Sequence, residues 1–393
     1  MKKDLTIIEV KDEKTIREFL NLPVFLYKNE KNWIRPLDQD IESVFNPKKN
    51  KYFRHGEAIR WILKNDTNKT IGRIAAFINR KTAKNNDQPT GGTGFFECIN
   101  NKDAAFTLFN KCKEWLQERG MEAMDGPINF GDRDRWWGLL VDGFYEPNYC
   151  MPYNFLYYKD LFEAYGFKNY FNQYTYHTPI TGEGFDDALR NAAERVFKNP
   201  RYTFRHSKRK KMDVIADEFR IIYNKAWAKF PGTIEMTNMR AKAILNSIKP
   251  IFEEHLFWFG YYDKEPIAFF LMLPEINQII KRLNGKLDLI GKIKFFYYRK
   301  IKKSCSKVLA LIYGVIPEHQ GKGVEGALVI AFTKLAFSSK FPYKEMEMNW
   351  IGDFNPTMMR VAERVGAKIR KTHTTYRYLF DRTKEFKRAR KVN

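Results

Sequence analysis

Cysteine is scarce: Cys98, Cys112, Cys150 and Cys305 are the only four in 393 residues, and their spacing suggests no pairs. That excludes a disulfide framework, and six histidines that do not cluster with the cysteines exclude a structural zinc site. Long apolar runs are missing as well. The longest, 267–273, falls far short of the roughly 20 residues that cross a bilayer. Met1-Lys2-Lys3-Asp4-Leu5 leads into Lys11-Asp12-Glu13-Lys14 without an apolar leader, so a cytoplasmic protein with no transmembrane segment is expected. Acidic charge is in deficit, 46 Asp and Glu against 69 Lys and Arg, for a net charge of +23 concentrated in stretches such as 205–211 and 382–391. Such an excess favours anionic partners (RNA, acidic lipid, acidic protein), and it bears on attraction and solubility rather than on fold.

What is present is core material. Hydrophobic residues make up 44% and aromatics 16%, with 33 Phe and 21 Tyr, which a disordered chain does not carry. At roughly 100–200 residues per domain the length predicts two domains. In the second half, 213–230 has apolar residues at Ile215, Phe219, Ile222, Tyr223 and Ala226, a helical spacing stopped by Pro231-Gly232. A second helix is expected over 238–252. Two aromatic-rich strands, 255–262 and 267–273, flank Asp263-Lys264-Glu265-Pro266. The basic, partly amphipathic insertion 275–303 reads as a helical excursion over core, or over a cleft or an acidic surface. A strand at 308–316, a turn at 320–323, a helix at 324–338, a strand at 345–351, a helix at 356–365 and an extended tail at 368–380 complete an α-α-β-β-β-α-β-α-β order, an α/β layer arrangement.

The first half repeats parts of this order. Segments 58–63 and 71–78 form a hairpin, 104–119 a helix, 123–129 a strand and 158–165 a helix. That helix ends Glu163-Ala164-Tyr165-Gly166-Phe167-Lys168, and its later counterpart ends Glu363-Arg364-Val365-Gly366-Ala367-Lys368. We read two copies of one fold, in domains 1–185 and 186–393.

Gln320-Gly321-Lys322-Gly323 lies between a β-rich run and a helix that starts at Val324. Glycines there let backbone N–H groups approach phosphate oxygens, and a helix N-terminus adds a favourable dipole. With Val315 and Pro317 upstream, the stretch resembles motif A of the GNAT (GCN5-related N-acetyltransferase) superfamily, in which a strand ending Val-x-Pro leads into Arg/Gln-x-x-Gly-x-Gly/Ala. Downstream, Asn355, Met358, Val361 and Gly366 follow the family's second-helix spacing, while Asn355 before Pro356 also reads as a helix cap. The resemblance implies a mixed, mostly antiparallel sheet flanked by helices in each copy, and acetyl-CoA or another acyl-CoA as cofactor. It places the pyrophosphate at Gln320, Gly321, Lys322, Gly323 and Val324 and the pantetheine arm along backbone from Leu311 through Tyr313 to Val315, with Asn355 nearby. Two departures stand out. Glu325 occupies a position where Gly or Ala is usual, and Ala362 stands where the family often carries a general-acid Tyr.

Strand alternation puts Glu345, Glu347 and Asn349 on one face and Met346, Met348 and Trp350 on the other. Glu347 is the expected proton acceptor and Asn349 the residue that positions the amine; Tyr376 or Tyr378 would replace the missing acid. The first copy lacks the glycine turn, and its segment 126–138 mixes turn residues, charges and two Trp in a way that suits a surface facing the other domain. The resulting expectation is acyl transfer, acetyl above others, from CoA to a small-molecule or peptide amine, with no metal. Fem-like aminoacyl transfer from tRNA and a non-catalytic CoA-binding protein are the alternatives.

Overall fold

The computed structural model describes residues 5–181, 184–208, 211–227 and 235–390. Arg209-Lys210, in the basic stretch, the Pro231-Gly232 helix stop and Lys391 of the tail lie outside the described residues. The first half runs β1 (Thr6–Glu9), α1 (Glu13–Leu26), α2 (Asp38–Phe45), β2 (Gly56–Lys64), β3 (Thr70–Asn79), β4 (Thr90–Cys98), α3 (Lys102–Gln117), β5 (Ala123–Gly126), β6 (Leu139–Asp142), α4 (Tyr157–Tyr165) and β7 (Lys168–Pro179). The second runs α5 (Asp187–Lys198), β8 (Tyr202–His206), α6 (Met212–Trp227), α7 (Asn238–Ile248), β9 (Phe257–Tyr262), β10 (Glu265–Pro274), α8 (Asn277–Ile280), α9 (Leu289–Phe296), β11 (Lys307–Val315), α10 (Val324–Ala336), β12 (Glu345–Gly352), α11 (Pro356–Arg364) and β13 (Lys368–Leu379). From α6 to β13 the order is the one read from periodicity, apart from short α8 and α9 inside the insertion.

All strands among the described residues join one 13-stranded sheet, in the order β1-β2-β3-β4-β5-β13-β7-β12-β11-β10-β9-β8, with β6 also paired to β13. Neighbours are antiparallel except β4 with β5 and β11 with β12. The closing strand of each half has changed sides. β7 pairs with β12 of the second half, and β13 pairs with β5 of the first. The two long strands then pair with each other over most of their length, through registers such as His373 with Gln173. The halves are therefore one body at the centre, welded by backbone hydrogen bonds.

Each half keeps its own apolar core. In the first, Phe96, Phe109, Phe162 and Trp115 pack between α3, α4 and the sheet, joined by Tyr376 and Tyr378 from the exchanged β13. In the second, Phe219, Phe269, Phe270 and Phe332 pack beneath α6 and α10. Both helices that preceded the repeated glycines end on a left-handed residue, Gly166 at φ +109° and Gly366 at φ +76°, a backbone that glycine adopts without steric cost. The insertion does not simply cover core. Phe295 faces inward with Leu283 and Ile280, but much of the helix's other face is in solvent.

Candidate functional site

The chemistry-bearing geometry lies where β11 and β12 part. They pair in parallel from Lys307 with Glu345 to Ala310 with Met348 and no further. On its other side β11 shifts register against β10 between Leu271 and Met272, which leaves Leu311 as the extra, exposed residue of a bulge. Beyond Ala310 the β12-facing edge of β11 is thus free of strand pairing, and the two strands enclose a fork. β12 contributes Asn349 and Trp350 there, and its own pairing with β7 shifts between Met348 and Ile351.

At the far end of β11 the chain turns into α10. Gln320 Nε2 donates to the Val315 carbonyl at 2.8 Å, and Gly321 and Gly323 take φ of +71° and +90°. The two glycines have different reasons to be there. A Cβ on Gly321 would meet nothing within 4 Å, so this side of the turn is open to a ligand. On Gly323 it would stand 2.8 Å from the carbonyl oxygen of Ala192 in α5. Gly323→Ala is therefore expected to lower stability by about 1–3 kcal/mol through strain and the displaced helix, and Gly321→Ala by about 1 kcal/mol or less; thermal unfolding of the two variants checks the difference. Glu325 does point at the turn, and its Oε1 accepts from the Gly321 N–H at 3.0 Å. Lys322 is exposed, Val324 is buried, and the Tyr313 hydroxyl is buried without a partner among the described residues, its ring edge-on to Phe270 at 5.7 Å.

Below the fork is a buried ionic network. Glu347, fully buried, lies between Lys307 Nζ at 2.8 Å and Lys371 Nζ at 2.6 Å, and Asn148 Nδ2 donates to it at 2.7 Å. Burial works to raise its pKa, but Lys371 and Lys307 prevail and hold the carboxyl at about 2. At neutral pH such a group is a poor proton acceptor, since both oxygens already receive charged donors. Asn148 Nδ2 also donates to Asn349 Oδ1 at 3.0 Å, and its own Oδ1 is buried without a partner among the described residues. Trp137 Nε1 and Gln173 Nε2, neighbours of this network through Trp350 and His373, are likewise buried and without a partner among the described residues. Buried polar groups are rarely left so unless a ligand or ordered water completes them.

No family model matches the chain. It is 29% identical over 383 residues to "Bacterial ceramide synthase" of Caulobacter vibrioides, covering 95% of this chain and 97% of that one. It is 25% identical over 369 residues to Protein YghO of Escherichia coli K12, covering 93% of each. Among solved structures it resembles the tandem GNAT protein from the clavulanic acid biosynthesis pathway, with a TM-score of 0.53 at 8% identity over 96% of this chain and 99% of that one. The chain has the tandem GNAT fold. A GCN5-related glucosamine N-acetyltransferase region of a fungal multi-domain GH3 beta-N-acetylglucosaminidase is similar too, with a TM-score of 0.56 at 10% identity over 96% of this chain; the chain spans 38% of that protein.

Within this GNAT frame the expected residues separate into groups. Tyr313, Val315, Gln320, Gly321, Lys322, Gly323 and Val324 follow one another along the open strand edge and turn. Asn349 faces the fork, and Glu347 lies beneath it. Asn355 is committed as the α11 cap, accepting from the Met358 N–H at 3.2 Å. Tyr376 and Tyr378 are not at the site: the exchange of β13 carries them into the first half's core, where Tyr376 donates to Glu163 at 3.0 Å. Ala362 is buried against Tyr176 and Ile351, so the missing GNAT tyrosine position is filled by packing.

The first copy's fork is closed. β4 and β5 pair from Thr90 to Gly92, and then the Ile128 N–H donates to the Thr93 carbonyl at 2.8 Å. A Cβ on Gly94 would lie 2.0 Å from the Ile128 carbonyl oxygen, so this glycine serves the approach of protein backbone. The segment after Ile128 does face the other half, with Trp350 Nε1 donating to the Arg133 carbonyl at 2.8 Å. Sequence reasoning missed Lys307, Lys371 and Asn148. A lysine at the start of one strand and another inside a long strand were the available signals; nothing local marks Asn148.

Proposed function

We propose that the chain is an acyl-CoA-dependent N-acyltransferase whose second half takes the thioester and whose acceptor is a primary amine on a long-chain amino alcohol. The observation that carries this reading is the fork, an unpaired β11 edge leading to an open glycine turn at a helix N-terminus. The first relative's name, ceramide synthase, supplies the acceptor class, since a ceramide is an N-acylated long-chain amino alcohol. Acyl-CoA, when bound, brings an activated carbonyl. The residues then have separable tasks. Gly321, Lys322 and the first turn of α10 receive phosphate. The free edge from Leu311 to Val315 pairs with the amide-bearing arm. Asn148 Oδ1 accepts a hydrogen bond from the amine, and Asn349 holds Asn148 in place. Glu347, with Lys307 and Lys371, fixes the floor on which both asparagines rest. The unpartnered Trp137 and Gln173 nitrogens suit acceptor hydroxyls.

The test is thiol release from a panel running from acetyl-CoA to long-chain acyl-CoA, with sphinganine and short amines as acceptors. Release with sphinganine and a long-chain donor is expected; no turnover with any pair sinks the reading. Gly321→Asp is expected to weaken acyl-CoA binding by about tenfold, because it places a carboxylate on the open side of the turn. Asn349→Ala should lower kcat/KM by roughly tenfold to a hundredfold with little change in melting temperature, a loss of positioning rather than of folding. Ala362, buried where the family often carries its acid, favours one rival, a non-catalytic CoA-binding protein. CoA binding without thiol release across the panel would select it, and salt-dependent tRNA binding without CoA binding would select aminoacyl transfer.

A further inference from the structure

The insertion between β10 and β11 carries a surface that neither fold nor fork accounts for. Helix α9 continues through a wider turn at Tyr297–Ile301, and Leu289, Ile290, Ile293, Phe296 and Ile301 are 74%, 64%, 62%, 60% and 64% exposed. Steps of three, three and five residues from Ile290 to Ile301, with Leu289 beside Ile290, place them along one side of the helix. The opposite side is firmly seated. Gly291 is buried, Phe295 meets Leu283 and Ile280, Arg282 lies over the Tyr298 ring at 4.8 Å, and Arg299 pairs with Glu253 at 3.1 Å. The helix is therefore fixed in orientation with its apolar stripe outward, and those side chains have no core to enter.

Charge identifies what covers the stripe. Between Leu289 and Lys303 stand Lys292, Lys294, Arg299, Lys300, Lys302 and Lys303, and no Asp or Glu. All but Arg299 are exposed. Long lysine stems bordering an exposed apolar stripe suit an interface in which apolar groups enter acyl chains while ammonium groups stay among phosphates. A second copy is disfavoured by a net charge of +23 on each chain. No helix among the described residues is long and apolar enough to cross a membrane, so the attachment in question is one that lies on the surface. We propose that α9 and the turn after it dock this protein on an anionic lipid bilayer, with the helix in the plane of the interface.

Co-sedimentation of the full chain with vesicles tests this. Wild type is expected to bind vesicles of phosphatidylcholine mixed with phosphatidylglycerol, more weakly at high salt, and to bind pure phosphatidylcholine poorly. Ile290→Glu/Ile293→Glu/Phe296→Glu should lower partitioning by about tenfold or more, and Lys292→Glu/Lys294→Glu should remove the preference for the anionic lipid. All five positions are exposed, so the melting temperatures of both variants should match wild type; a variant that melts lower is replaced by single substitutions at Ile293 and Lys294. No vesicle binding by wild type, or equal binding by the triple variant, overturns the proposal. So does a concentration-dependent dimer that the triple variant abolishes in a protein that ignores vesicles. None of these readouts depends on acyl transfer, so the docking can fail while the activity stands, and the reverse.

Discussion

Glu347→Gln is expected to lower the stability of the chain at neutral pH by about 3–5 kcal/mol, the cost of breaking a buried ion pair from one side. The substitution leaves Lys307 and Lys371 within 3 Å of an amide that supplies only one acceptor, and Asn148 loses the carboxylate to which it donates. Burial already pushes the Lys371 ammonium down, so in the variant it sheds its proton more readily. The pH profile identifies the cause. The Glu347 carboxyl is held at about 2 against an ordinary value of 4.5, so its stabilisation, roughly 3 kcal/mol, is complete above pH 4.5 and drains away as pH falls toward 2. Glu275 acts in the opposite sense. Burial lifts it to about 7, against the Asn277 N–H and Lys307, so its contribution is complete below pH 4.5 and is lost as pH rises through 7. Denaturant titrations from pH 2 to 8 should thus show stability climbing and then declining. Glu347→Gln should flatten the acid limb and Glu275→Gln the neutral one. An acid limb unchanged in Glu347→Gln would place the titrating group elsewhere.

Arg377→Ala should cost a similar 3–5 kcal/mol, and the damage should appear in the half of the chain where the residue is not encoded. Arg377 lies in β13, near the end of the chain. Its guanidinium forks onto Asp125 of β5 at 2.6 and 2.9 Å, and it stacks on Tyr170 at 3.7 Å. Arginine and aspartate are both buried, so the variant leaves a buried carboxylate inside the first half with only Arg133, at 3.7 Å, as an ion-pair partner. Hydrogen exchange should rise first in β4, β5 and β13, while the amides of β10 and β11 keep their protection. Uniform loss across both halves would mean that the exchanged strand does not localise the defect.

The periodicity of the second half yielded its order of elements because α6, α10 and β10 are amphipathic or apolar in the ordinary way. β4 escaped notice because Thr90-Gly91-Gly92-Thr93-Gly94 has no alternation to read, and β8 because it lies in a run that looks like a solvated basic surface. Strand exchange left no local trace, since hydrogen-bonded partners are chosen by topology and not by the strand's own pattern. The exchange is also what puts Tyr376 and Tyr378 in the first half's core, away from the fork. The glycine turn was legible as a whole, but the separate duties of Gly321 and Gly323 needed α5, whose contact with the turn is tertiary. Asn148 was beyond reach for the same reason.

The traded strands change what it means for one half to lack an open fork. A half without a ligand turn would ordinarily be dispensable to the other. Here its removal would leave β12 without the neighbour that orders Glu345 and Glu347, would expose a long sheet edge to aggregation, and would take Asn148 away from the fork. The remaining half, in return, would hold a closing strand with nowhere to pair. Each half is thus a structural part of the other, and neither can be removed without unmaking its partner's sheet.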